Sequence, residues 1–156
     1  IPLSQNRKYN KSDLANALRH EYTHAVIAEM SDYRCPAWID EGLAQLIEGQ
    51  PNSLLGPALR KWLDDNEAMP LEWLNNGFTL LNDSMVPAAY AESLLATRHL
   101  VNSQGFTKVV EYLNNLNSGM SENNAFANAF RKSLPQFDED LKDLATRWAR
   151  SNQITP

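Results

Sequence analysis

His20-Glu-Tyr-Thr-His24 and Trp38-Ile-Asp-Glu-Gly-Leu-Ala44 are the two stretches that decide how this chain reads. On an α-helix each residue turns the chain by about 100° and raises it by about 1.5 Å. His20 and His24 therefore lie one turn and about 40° apart, on one face. Two imidazoles so placed can converge on a single ion at the distances of about 2.0–2.1 Å that zinc prefers. Glu21 points to the side of that pair, near enough to reach a water on the metal without joining the ligands. A catalytic zinc takes three protein ligands and keeps one position open. The third must come from elsewhere in the chain.

Glu41 is the strongest candidate. The stretch from Pro36 to Glu48 reads as a helix with proline near its first turn, where the missing N–H costs nothing. Asp40 is the rival ligand, but it lies about 100° away around that helix, so only one of the two can face the metal. Gly42 sits in the helix interior, where glycine costs about 1 kcal/mol relative to alanine. A close approach to the His20–His24 helix is the expected reason. Glu48, seven residues beyond Glu41, shares its face and is placed to accept a hydrogen bond from the far nitrogen of a ligand histidine.

Outward from these motifs the chain reads as almost entirely helical. Ser12-Asp13 is expected to cap a helix running to about Met30, with Leu14, Leu18, Tyr22 and Ile27 as its apolar positions. Pro51-Asn-Ser53 is expected to end the Pro36 helix and cap another from Leu54 to about Asp65. Between Glu67 and Pro87 the turn formers Pro70, Asn75-Asn-Gly77 and Asn82-Asp-Ser84 break the pattern. Helices are then expected over 88–103, 106–117, 121–132 and 136–151, with Gly105 and Gly119 at helix C-terminal positions. No repeat, low-complexity segment or linker interrupts the 156 residues, which are expected to form one domain.

Composition narrows the function classes. A net charge of −5 with scattered Lys and Arg argues against a nucleic-acid surface. Hydrophobic content of 43% and charged content of 21% are those of an ordinary soluble globular protein. No apolar run approaches the 18 or so residues that cross a bilayer. The single cysteine excludes an internal disulfide. Because the chain opens on Ile, it is expected to be part of a longer parent, with any targeting segment outside it.

His-Glu-Tyr-Thr-His followed by Trp-Ile-Asp-Glu-Gly-Leu-Ala resembles the gluzincin metallopeptidases, most closely the peptidase-MA-like domains and more distantly the zinc aminopeptidases and thermolysin. The resemblance continues at Ala89-Tyr-Ala-Glu-Ser-Leu-Leu-Ala-Thr-Arg-His-Leu-Val101 and Gln104-Gly-Phe106, and spans roughly residues 15–150. It implies a mainly α catalytic part, one zinc per chain on His20, His24 and Glu41, and peptide or protein substrates. It also implies Glu21 as general base and Tyr90, at the opening of its helix, as stabiliser of the transition state. Two features depart from the pattern. Residues 25–40 form a short connection between the motifs. The upstream β-sheet that holds substrate in this family is largely missing, Ile1-Pro-Leu-Ser4 supplying at most the tail of a strand.

Other residues carry plainer readings. Tyr90 competes with the simple role of a core aromatic. His99 is a rival oxyanion stabiliser, but nine helical residues turn by about 900°, which puts it opposite Tyr90 and favours packing or surface. Cys35 reads as a loop or half-buried free thiol, with an inhibitory fourth zinc ligand as the sharper alternative. Trp38, Trp62, Trp73 and Trp148 read as core anchors, with a substrate wall as the sharper alternative for Trp73. Against the peptidase reading stand a zinc-stabilised scaffolding module that has lost catalysis, and a helical interaction domain with a fortuitous motif.

Overall fold

The computed structural model describes residues 11–50 and 52–156. They form seven α-helices and one 3₁₀ turn, with no strand among the described residues. The helices are α1 (Lys11–Ser31), α2 (Ala37–Glu48), α3 (Leu55–Leu63), α4 (Val86–Gln104), α5 (Phe106–Asn117), α6 (Glu122–Phe130) and α7 (Leu134–Ala149). The 3₁₀ turn, Leu71–Leu74, breaks the long connection from α3 to α4. The mainly α expectation is met. The strand tail expected over residues 1–4, and Pro51, lie outside the described residues.

Helix α4 is the axis of the fold. Its Ala88, Ala89, Ala91, Leu94, Leu95, Ala96 and Leu100 are buried on several sides, as a helix surrounded by others requires. Helix α2 lies against it, and Ile39, Leu43 and Ala44 of α2 are buried. Gly42 makes that contact possible. A Cβ there would sit 2.2 Å from the Thr97 hydroxyl oxygen and 2.4 Å from the Ser93 carbonyl oxygen, both on α4. The close approach expected at Gly42 is therefore real, but its partner is α4 rather than α1.

Helix α1 packs on the other side of α2, and also touches α5. Asn16, Thr23, Ile27 and Ser31 are buried on its inner face. Leu14, Leu18 and Tyr22, expected as core positions, are 54%, 61% and 72% exposed. Helical geometry supplies the reason. Leu18 and Tyr22 each lie two residues from His20, about 200° around the helix, so a helix that turns its histidines inward turns these side chains out. The expected cap at Ser12-Asp13 also fails, because α1 continues through both residues.

Caps account for the remaining boundary shifts. Gly49 ends α2 in the left-handed region at φ 84°. Ser133 and Gln136 form a reciprocal capping box, so α7 begins at Leu134, two residues earlier than expected, with a proline tolerated in its first turn. Arg131 takes a left-handed conformation that stops α6 at Phe130. Helix α5 runs over the expected residues. Beyond α7 the chain folds back on α3, where Arg60 donates to the carbonyls of Ala149, Ser151 and Gln153 and stacks on Trp148.

Trp38 and Trp148 are buried as core anchors and Trp62 is half-buried, whereas Trp73, also expected in the core, is exposed. The irregular segment before α4 is pinned by two carboxylates. Glu92 accepts from the Met69 N–H and Asp138 from the Leu71 N–H, each at 3.0 Å.

Candidate metal centre

Helices α1 and α2 form an antiparallel hairpin joined by residues 32–36, with Asp32 and Tyr33 in the left-handed region. As α1 advances through residues 16, 20 and 24, its side chains bond to residues 50, 48 and 40 of the returning strand of chain. That register is what places His20 and His24 opposite Glu41. One nitrogen of each histidine and one oxygen of Glu41 all lie within 4.8 Å of one another. This is the one His/Cys/Asp/Glu group of three or more among the described residues whose ligand atoms converge in this way.

Each imidazole is held from behind by a carboxylate. His20 Nδ1 lies 2.9 Å from Glu48 Oε2, and His24 Nδ1 lies 2.9 Å from Asp40 Oδ1. A carboxylate can only accept, so in the neutral imidazole Nδ1 carries the proton and Nε2 keeps its lone pair. Both Nε2 atoms face Glu41 Oε2, at 3.8 and 3.9 Å. That oxygen is buried and has no hydrogen-bond partner among the described residues. A tetrahedral zinc at about 2.0–2.2 Å from its ligands sets them about 3.4 Å apart. The two histidine-to-Glu41 distances are open by about half an ångström, and two imidazole nitrogens with one orphaned carboxylate oxygen suit that ion.

The electrostatics of the cluster fit its layout. Burial pushes the Glu41 carboxyl up, the two histidines oppose this, and Asp40 and Glu21 reinforce it. Tyr90, the fifth residue of α4, is half-buried with its ring edge-on to Phe78 at 4.7 Å. Burial first, and the Glu41 charge second, push its phenol up. Tyr90 therefore remains a hydrogen-bond donor and stands within electrostatic reach of the ligand cluster. Glu21 is exposed beside the histidines. It shares a groove of about 380 Å³ with His20, Glu48 and Asp13.

The sequence pattern of the Peptidase MA superfamily matches residues 9–152. The chain belongs to the Peptidase MA superfamily. No curated protein and no solved structure matches it. Membership in the Peptidase MA superfamily makes metallopeptidase chemistry the coarse assignment, and His20, His24 and Glu41 the candidate metal group. No described helix is long and apolar enough to cross a membrane.

Of the residues singled out in the sequence, His20, His24, Glu41 and Glu48 come together as expected. Asp40 does not compete with Glu41 for the metal position; it backs His24 instead. Sequence reasoning missed that role. The signal was available, since an antiparallel hairpin that brings Glu48 to His20 brings the first turn of α2 to His24. Gln45 was also missed. It is buried, and its amide donates to the carbonyls of Glu41 and Tyr90 at 3.2 and 3.0 Å, tying α2 to α4 beside the site. His99 faces away and stacks on Phe137 at 6.3 Å, where burial followed by Lys132 and Arg147 pushes its pKa down. Cys35 is a free, half-buried thiol pushed well up by burial and by the nearby Asp40 and Glu122. It is not among the converging ligand atoms.

Proposed function

We propose that this chain is a zinc-dependent metallopeptidase that hydrolyses peptide bonds within a single helical domain. In this reading His20, His24 and Glu41 hold the metal, Glu21 is the general base and Tyr90 the oxyanion donor. One observation carries it. Glu41 Oε2 is buried without a hydrogen-bond partner among the described residues, facing two imidazole nitrogens whose opposite nitrogens are tied to carboxylates.

A zinc ion held there supplies Lewis acidity for water and for the carbonyl of a bound peptide. The protein side chains divide the rest of the work. Glu21, exposed and beside the histidines, takes a proton from the attacking water and passes it to the leaving amine. The Tyr90 hydroxyl donates a hydrogen bond to the negative charge that develops on the carbonyl oxygen. Asp40 and Glu48 are positioning residues that fix the tautomer and orientation of His24 and His20.

Turnover of a random peptide library by the metal-loaded chain tests the proposal. Glu21→Gln should lower it by about 10²–10⁴-fold while metal content is unchanged. Tyr90→Phe should lower kcat by about 10²–10³-fold, again with metal retained. An unaltered kcat in Tyr90→Phe removes that residue from the chemistry. A fully loaded chain that cleaves no peptide in the library contradicts the peptidase reading itself.

A further inference from the structure

Gln45, on α2, is buried although its side chain is polar. Glu41, Gln45 and Gly42 follow one another around that helix at about 0°, 40° and 100°. Glu41 turns to the histidines, and Gly42 meets Ser93 and Thr97 of α4. Gln45 therefore stands between the face that carries the candidate metal ligand and the face that touches α4.

Its amide nitrogen donates to the Glu41 carbonyl at 3.2 Å and to the Tyr90 carbonyl at 3.0 Å. Both partners can only accept, so the NH2 end of the amide must face them and both its hydrogens are committed. The first partner is the backbone of the candidate metal ligand, and the second is the backbone of the candidate oxyanion donor. The contact of Gly42 with Ser93 lies about one turn further along α4, so the two helices are located against each other at two points. Of these, only the Gln45 bond reaches Tyr90 itself. On its other side the Tyr90 ring meets Phe78 edge-on.

An oxyanion donor acts when its donating atom stands about 2.7–3.1 Å from the oxygen that gains charge. A misplacement of about 1 Å costs about 10²-fold in rate. Glu21 needs no tie to meet such a demand, because it shares α1 with the two histidines. Tyr90 does need one, because α4 contributes none of the converging ligand atoms.

We infer that Gln45 is a positioning residue, whose amide sets the distance from the Tyr90 hydroxyl to a metal held by His20, His24 and Glu41. This role rests on the peptidase reading of the site. A side chain that only filled the interior would be replaced without loss by methionine, which is of similar length and adapts to irregular space. Gln45→Met removes both donors and keeps the volume.

Cobalt(II) in place of zinc tests the role without turnover. A paramagnetic ion broadens nuclear resonances more strongly the closer they lie, so chain with labelled tyrosine reports how near the Tyr90 ring is to the metal. Tyr90→Phe identifies the signals. They are expected to be broadened in the wild type and less so in Gln45→Met, at equal cobalt content and with unchanged circular dichroism. In peptide cleavage, Gln45→Met should lower kcat by about 10–100-fold with KM nearly unchanged. It should cost nothing further when added to Tyr90→Phe. Should Gln45→Met lose helicity, Gln45→Asn carries the same test, since its amide is a methylene too short to reach both carbonyls.

Unchanged broadening, or losses that add in the double variant, would overturn the role and leave Gln45 as a packing residue. Altered broadening in a chain that cleaves no peptide would contradict the peptidase reading and leave Gln45 its part in placing Tyr90. No cobalt bound by the wild type would overturn both.

Discussion

Helices α1 and α4 are of similar length, 21 and 19 residues, but follow opposite rules of burial. Helix α4 hides alanine and leucine on nearly every side and is held by packing. Helix α1 turns Asn16, His20, Thr23 and His24 toward α2 and presents Leu14, Leu18 and Tyr22 to solvent. Its inner face is built from paired polar groups, in which carboxylates of α2 hold imidazoles of α1. A helix held by packing resists any change of volume. A helix held by polar pairs tolerates such changes, but its function is sensitive to single atoms.

The largest expected effect is at Gly42, where the two rules meet on α2. Gly42→Ala places a methyl group against the Thr97 hydroxyl and the Ser93 carbonyl of α4. Overpacking of this kind costs about 2–3 kcal/mol, which lowers Tm by about 5–10 °C in a domain of this size. A thermal melt checks it, and an unchanged Tm would show that α2 and α4 are not locked as described.

On the polar side the effect should appear in metal affinity and leave the fold intact. Asp40→Asn and Glu48→Gln should each weaken zinc binding by about 10–100-fold, while Tm of the metal-free chain stays within about 1 °C. Competition with a chelator measures the affinity. If neither substitution changes it, the carboxylates do not position the histidines.

A smaller effect concerns the one carboxyl buried within α4. Burial pushes Glu92 up to about 8, against an ordinary value near 4.5. Between those values the folded chain binds more protons than the unfolded chain, so this group's contribution to stability falls as pH rises through that window. Glu92→Gln keeps an acceptor for the Met69 N–H and removes the titration. Its Tm should exceed that of the wild type at about pH 9 and converge with it at about pH 5. Parallel Tm curves for the two proteins across that range would show that Glu92 titrates normally.

Much of this architecture was legible in the sequence where local chemistry decides it. Helix α5, between Gly105 and Asn117, follows from its turn residues and periodicity. That Glu48 backs a ligand histidine follows from its helical spacing to Glu41; that the histidine is His20 does not. What was not legible depends on which neighbour a face meets. Leu14, Leu18 and Tyr22 have the periodicity of a core stripe, and only the inward demand of His20 and His24 turns them out. Gly42 signals a close approach without naming the partner. Asp40 and Glu41 differ by one residue, and their roles separate only when the hairpin register fixes which one faces His24 from behind.

The central claim is that His20, His24 and Glu41 together hold one zinc ion. Elemental mass spectrometry on chain purified without a histidine tag tests it most directly. About one zinc per chain is expected, falling sharply in His24→Ala and in Glu41→Ala. Zinc absent from the purified chain and not taken up on titration, or content unchanged in both variants, would contradict it.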